Sequence, residues 1–314
     1  MPAFSASAPG KIILFGEHAV VYGRPAIAVP VTQVQAKVMI QARPGAPGGQ
    51  SEIEAPDIGM SGPLDGYPPN HPLALAVNSV QTRLGLSHLP AFRMKITSSI
   101  PLAAGLGSGA AVSVALARAL SAFLGHPLTD QQVNEVAFRV EQVYHGTPSG
   151  IDNTVITYAQ PVWFVRGSPF EFFSPAVPFT IVIANTGIAS LTGEVVADVR
   201  RRWAAHPPSL EPLFNRIGAI AREARRLMEY GRPEEMGPLM TSNHELLRQL
   251  DVSSPELDKL VNAALHAGAL GAKLVGGGRG GNMIALARAE QADAIASALT
   301  SAGATHTMIT EVKG

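Results

Sequence analysis

Residues 101–120 read PLAAGLGSGAAVSVALARAL, with Gly105, Gly107 and Gly109 packed into five positions just ahead of a run of helical character. Glycine inside a helix or strand costs about 0.5–1 kcal/mol relative to alanine, so the cluster calls for a backbone reason. One reason is a tight turn between strand and helix. The other is a loop whose bare N–H groups face an anion at a helix N-terminus, where unpaired amides and the helix dipole favour negative charge. No Gly-Lys-Ser/Thr closes the segment, so it is not a Walker loop. Gly105, Gly107 and Ala110 satisfy a loose dinucleotide fingerprint. However, residues including Pro101 separate it from the preceding strand, and no acidic residue closes a second strand about 20 positions on. Alone, the segment stays open between a turn and a phosphate loop.

Moving outward, FRMKITSSI at 92–100 reads as the strand before it, and 109–124 as the helix after it, with Val112, Leu116, Leu120, Phe123 and Leu124 on one face. Upstream, Ile12–Phe15 forms a short apolar strand between Gly10 and Gly16, and 24–41 carries β-branched runs suited to strands. Residues 42–71 contain 12 Gly or Pro and read as a long loop or irregular hairpin before a helix at 72–84. Downstream, Thr129 and Gln132 resemble a capping box for a helix over 130–145. Residues 154–173 read as two strands joined near Gly167, followed by a strand at FTIVIANT and helices over 193–230, 233–248 and 254–267. The chain closes with strand, Gly-rich turn, strand, an Ala-rich helix and a last strand near 305–312. Such interspersion indicates mixed α and β structure in two layers.

At 314 residues the chain exceeds the usual size of one core, and two domains are expected. Hydrophobic residues make up 46%, charged residues 15%, and the formal net charge is zero, which argues against an electrostatic binder of nucleic acid or anionic membranes. With no cysteine, disulfides, Cys-zinc sites and thiol nucleophiles are excluded. Neither a signal peptide nor an apolar stretch of the roughly 20 residues that span a bilayer is visible, which points to the cytoplasm.

Three further stretches could carry chemistry. In VNEVAFRVEQVYHGTPSGIDN, Val133, Val136, Ala137, Val140 and Tyr144 share a helical face that also takes in Glu141, while Glu135 and Arg139 have the spacing of a surface pair. A carboxylate on an inward face is costly unless paired or bound to a cation, although a snorkelling edge residue is the alternative. The helix ends at His145 and Gly146, and a Pro148-Ser149-Gly150 turn presents Asp152, which is either a cap or a catalytic group. Lys11 opens a strand that Glu17 and His18 follow, and no second His sits at zinc-ligand spacing. GGGRGG at 276–281 has more glycine than a hairpin requires, which hints at close backbone approach to a ligand.

In this order, APGKIILFGEHAVVYG, PLAAGLGSGAA and KLVGGGRGGNMIAL resemble the N-terminal, central and C-terminal motifs of the GHMP family of small-molecule kinases, across nearly the whole chain. Within it, GEHAVVYG and HGTPSGIDN look most like members that act on mevalonate; galactokinases differ after GEH, and homoserine kinases lack the SGIDN aspartate. The resemblance implies an α+β, two-domain fold. Residues 1–175 would form a ribosomal-S5-like, ATP-binding domain, and 176–314 a ferredoxin-like domain. It implies ATP-dependent phosphorylation of mevalonate to 5-phosphomevalonate with Mg²⁺, and a homodimer.

Position by position, Gly105, Leu106, Gly107, Ser108, Gly109 and Ala110 match the loop around the ATP phosphates. Asp152 matches the residue that takes or orients the proton of the substrate hydroxyl, and Lys11 the cation beside it that lowers its pKa and neutralises phosphoryl charge. Glu141 and Ser108 match magnesium ligands; Glu17, His18 and Ser149, with Lys11 and Asp152, match the substrate pocket. Three positions depart from the pattern. Gly109 stands where a second serine is usual, Val275 replaces a threonine, and Arg279 replaces a glycine, so that it reaches either phosphate or solvent. The alternatives are another enzyme of the fold, such as a phosphomevalonate kinase or a mevalonate-diphosphate decarboxylase relative, and a non-catalytic ligand-binding relative. The first would need extra basic residues in the pocket; retention of Lys11, Asp152 and Glu141 argues against the second.

Overall fold

The computed structural model describes residues 3–46, 50–101, 105–145 and 148–313, with the side chains of Tyr144 and His145 outside that description. The place of Tyr144 on its helix face and the helix end at Gly146 therefore lie outside the described residues. Two compact units form, neither of them contiguous. Unit 1 comprises Met1–Gly10, Thr32–Pro101 and Gly107–Ala159; unit 2 comprises Lys11–Val31, Leu102–Leu106 and Gln160–Gly314. Strand β1 (Ala3–Phe15) pairs with β2 (Ala26–Ala42), and both are longer than their apolar runs alone predict.

In unit 1, residues 36–42 of β2 pair antiparallel with β5 (Phe92–Ser98). The Gly/Pro-rich stretch supplies the hairpin β3 (Glu52–Ala55) and β4 (Met60–Pro63), and β3 pairs parallel with β5. Four helices accompany them: α1 (Pro72–Arg83), α2 (Ser108–Phe123), α3 (Asp130–His145) and α4 (Ile151–Tyr158). The single apolar face expected of α2 is not what forms. Ala111, Val114, Ala115, Leu116, Ala117 and Leu120 are all buried, whereas Val112, Phe123 and Leu124 are only partly so. Its many alanines let α1, α3 and α4 approach it from several sides. The capping box of α3 is present: Thr129 N–H donates to Gln132 Oε1 at 2.9 Å and Gln132 N–H to Thr129 Oγ1 at 3.3 Å. Glu135 accepts from Arg83 and Gln131 rather than from Arg139, because α1 packs against α3.

Residues 154–158, expected to begin a strand, belong to a helix over 151–158. The β-branched run Thr154-Val155-Ile156 favours a strand locally, but Gly150, at φ 90°, caps a helix whose buried residues pack on α2 and α3, and tertiary burial overrides propensity. The strands of this stretch are β6 (Val162–Phe164) and β7 (Glu171–Phe172), which pair antiparallel within unit 2.

Unit 2 also holds β8 (Phe179–Asn185), β9 (Gly271–Val275), β10 (Asn282–Ala287) and β11 (His306–Val312), in the order β11-β8-β10-β9 with every pairing antiparallel. This is the ferredoxin-like arrangement. Its helices are α5 (Thr192–Ala205), α6 (Pro207–Glu229), α7 (Met236–Gln249), α8 (Pro255–His266) and α9 (Ala292–Ser301). The helical stretch 193–230 breaks at His206, which Pro207 confines to an extended backbone (φ −153°). Helix α8 starts as its sequence dictates: Ser254 Oγ accepts from Leu257 N–H, Pro255 opens the first turn, and Glu256 and Asp258 sit at the positive end of the dipole.

One close approach sets the position of β9. A Cβ on Gly237 of α7 would lie 2.1 Å from Leu270 O, and one on Gly271 would lie 2.0 Å from Gly237 O. His244 adds a polar tie, accepting Leu274 N–H at Nδ1 (3.2 Å) while Nε2 meets Asp258 at 3.1 Å. No helix among the described residues is long and apolar enough to cross a membrane.

Candidate active site

In unit 2, the end of β1 delivers Lys11, which is 4% exposed and whose N–H donates to Leu106 O at 3.0 Å. The chain then turns sharply at Gly16 (φ 100°), where a Cβ would meet Pro25 O at 2.5 Å, so only glycine fits. Glu17 and His18 follow, both buried. Ala19 N–H donates to Glu17 O at 2.6 Å across His18, whose φ of 59° and ψ of −49° describe the rare, strained γ-turn. Among the described residues, such a backbone conformation in a non-glycine residue is a place to look for function.

Lys273 of β9 is wholly buried and its ammonium donates to Glu17 Oε1, while Glu17 Oε2 is buried with no hydrogen-bond partner. Burial pushes the Glu17 carboxyl up and the Lys273 ammonium down, and their mutual attraction opposes both shifts. His18 Nε2 lies 3.0 Å from Gly277 O. Burial, followed by the nearby positive charges of Arg202, Arg279 and Lys273, pushes its pKa down to about 4, against the pull of that hydrogen bond. The imidazole is therefore neutral near pH 7. Because a carbonyl only accepts, Nε2 carries the proton and Nδ1 is the acceptor.

The loop at 276–281 is packed tightly by other parts of unit 2. A Cβ on Gly277 would fall 2.8 Å from Thr192 Cα, on Gly278 1.9 Å from Val252 O, and on Gly280 2.8 Å from Ile188 O. Ser190 Oγ donates to Gly278 O at 2.8 Å. Arg279 is exposed at the surface of unit 2, where its guanidinium is tied to two aspartates. Its Nη2 bonds Asp198 at 2.7 Å and Asp251 at 3.2 Å, and its Nε donates to Asp251 O at 3.1 Å. That fork accounts for a side chain at a left-handed position (φ 55°) where glycine would be easier, and it holds the Asp198 carboxyl below the usual range. Val275 is buried at the end of β9.

In the Gly-rich segment, Gly105 (φ 75°) and Gly107 (φ 75°, ψ 30°) are left-handed, and Gly107 caps α2. Ala111 N–H takes Gly107 O at 2.9 Å, so the amides of Ser108, Gly109 and Ala110 have no acceptor within the helix. Gly109 differs from its two neighbours: its φ is ordinary, and a Cβ there would lie an easy 3.8 Å from Glu141 Oε1. Unit 1 thus brings Glu141, 9% exposed on the inward face of α3, to the start of α2. Asp152 sits in the first turn of α4 behind Gly150, partly buried, and Ser149 Oγ accepts Ile151 N–H at 3.4 Å. No cluster of three His, Cys, Asp or Glu forms a protein-only metal cage among the described residues. One buried carboxylate at the N-terminus of a helix still fits Mg²⁺, which binds through one or two carboxylates, substrate phosphates and several waters.

Sequence reasoning missed Lys273. Its signal was a lysine inside the apolar strand GAKLV, where an unpaired charge would be costly.

Fold and site together define a small-molecule kinase of mixed α and β structure. The model of the GHMP kinases N terminal domain matches residues 70–160, and that of the GHMP kinases C terminal matches 219–305. The chain belongs to the GHMP kinase family. It is 39% identical to the mevalonate kinase of Thermococcus gammatolerans, over 98% of this chain and 95% of that one, and 38% identical to the mevalonate kinase of Pyrococcus abyssi at the same coverage. Among solved structures, the L. major mevalonate kinase in complex with R-mevalonate superposes with a TM-score of 0.85 at 33% identity, covering 98% of this chain and 95% of the other.

Proposed function

We infer that this chain is a mevalonate kinase, transferring the γ-phosphoryl group of ATP to mevalonate to give 5-phosphomevalonate. The observation that carries the reading is the full-length likeness to curated mevalonate kinases, joined to a buried Glu17–His18 turn and an open amide-lined end of α2 in the same chain. The free amides of Ser108–Ala110, with Gly105, Leu106 and Gly107 ahead of them, cradle the nucleotide phosphates. Asp152 takes or orients the proton of the attacking hydroxyl, and Lys11 offsets phosphoryl charge. Glu17, His18 and Ser149, with Lys11 and Asp152, line the acceptor pocket. Glu141 and Ser108 would hold Mg²⁺, whose chemistry is to neutralise charge on the phosphates.

The same reading takes 1–175 and 176–314 as the two domains, supported by the separate N- and C-terminal family matches, with a cytoplasmic location and a homodimer; size-exclusion chromatography with light scattering tests the last. The deciding experiment offers ATP and Mg²⁺ with mevalonate, phosphomevalonate, homoserine or galactose in turn. Phosphorylation of mevalonate is expected. Preference for phosphomevalonate would move the chain to another branch, and no turnover with any acceptor would leave the non-catalytic reading.

A further inference from the structure

The γ-turn that presents His18 is strained, and a strained turn persists only when its surroundings over-determine it. Within unit 2 it is gripped at two adjacent residues by one element and the loop after it: Lys273 of β9 binds Glu17, and Gly277, four positions on, binds His18. Strand β9 is itself fixed by the Gly237–Gly271 contact and by His244. Lys273 spends none of its charge on solvent, being 0% exposed, and a buried ion pair is seldom the most stable filling for a core. Such a pair therefore invites a reason other than stability. We propose that Lys273 is a positioning residue for the acceptor substrate: its ammonium orients the Glu17 carboxylate, pins the γ-turn, and so fixes the ring of His18 with Nδ1 presented as an acceptor. It touches neither substrate nor phosphate. The proposal deepens the kinase reading and rests on it for the identity of the acceptor.

The test uses Lys273→Met, Glu17→Gln and the paired variant in the full chain. Lys273→Met is expected to raise KM for mevalonate by about tenfold or more while KM for ATP stays within about twofold, since only acceptor placement is lost. In the Glu17→Gln background the same substitution should change KM for mevalonate by less than about twofold, because Lys273 acts through Glu17. Equal effects in both backgrounds, or an unchanged KM in Lys273→Met, would overturn the proposal.

A second readout does not depend on turnover. In ¹⁵N–¹H correlation spectra of the histidine rings, assigned by loss of the His18 signals in His18→Asn, the wild-type ring should show the neutral Nε2–H form. In Lys273→Met it should average between tautomers. If Lys273→Met does not fold, the paired variant, free of both buried charges, takes its place; a wild-type His18 signature there would overturn the proposal. A wild-type protein that leaves mevalonate unphosphorylated would sink the functional reading alone, because the ring spectra still report whether Lys273 holds the turn.

Discussion

Two glycine-rich segments, 105–110 and 276–281, look alike in sequence and differ in what surrounds their glycines. In the first, Gly105 and Gly107 are needed for their left-handed backbone, and the residues directly after Gly107 present a row of amides without acceptors in the helix. In the second, Gly276, Gly278, Gly280 and Gly281 also have positive φ, but room is short as well: three of its Cβ positions would fall within 3 Å of Thr192, Val252 or Ile188. The first segment ends in amides without intrahelical acceptors, whereas the second makes the backbone a structural part that grips His18 through Gly277 O. Glycine content alone cannot tell the two apart. The two loops differ in their neighbours, and the neighbours are remote in sequence.

That contrast can be broken most forcefully by separating rate from stability. Asp152→Asn, in the unit that carries the amide-lined helix end, is expected to keep the wild-type melting temperature and ATP affinity while turnover falls by about 10²–10⁴. A variant that retains a third of wild-type turnover would remove Asp152 from the chemistry. Gly278→Ala should do the reverse and strike stability first. Its Cβ would sit 1.9 Å from Val252 O at φ 81°, so a loss of about 3 kcal/mol or more is expected in urea unfolding. Wild-type stability in Gly278→Ala would mean that the second loop yields as readily as the first.

The next effect is in pH. His18 has a folded pKa of about 4 against an ordinary value of 6.5. Between these values the unfolded chain binds more protons than the folded one, so stability falls as pH drops through that window and is fully present above 6.5. The contribution is about 3 kcal/mol. In His18→Gln the slope of stability against pH between 6.5 and 4 should be shallower; an unchanged slope would show that His18 is not the group responsible.

The mildest changes concern Gly109 and Glu141. Gly109→Ser should leave stability within about 0.5 kcal/mol, since its Cβ has 3.8 Å of clearance. It should also lower the magnesium concentration for half-maximal activity, by placing a hydroxyl near Glu141. Glu141→Gln should raise that concentration. If Glu141→Gln titrates with magnesium as wild type does, the metal assignment fails. If Gly109→Ser abolishes activity, the first segment needs its third glycine after all.

Much of this is legible in the chain. The helices at 72–83 and 130–145, the strands at 92–98 and 179–185, and the capping box at Thr129 follow from local periodicity and side-chain reach, which a sequence displays directly. So does the inward place of Glu141, because buried Val133, Val136, Ala137 and Val140 at helical spacing fix the face it shares. Residues 154–158 mislead because β-branched side chains favour a strand in isolation, and only burial against α2 and α3 makes them helical. Arg279 leaves phosphate and solvent both open in the sequence, because its partners, Asp198 and Asp251, lie 81 and 28 positions away.

The sequence by itself determined the order of elements, the absence of thiol chemistry, and the ordered motifs that mark a GHMP kinase. Those depend on residues close together in the chain, whose spacing sets which backbone forms and which faces are apolar. Only the tertiary structure decided that Lys273 pairs with Glu17, 256 positions away, that Gly277 O fixes the tautomer of His18, and that Gly277, Gly278 and Gly280 are glycine for lack of space. A buried charge, a ring tautomer and a steric limit are each set by what touches the group from another element, and such contacts have no local signature.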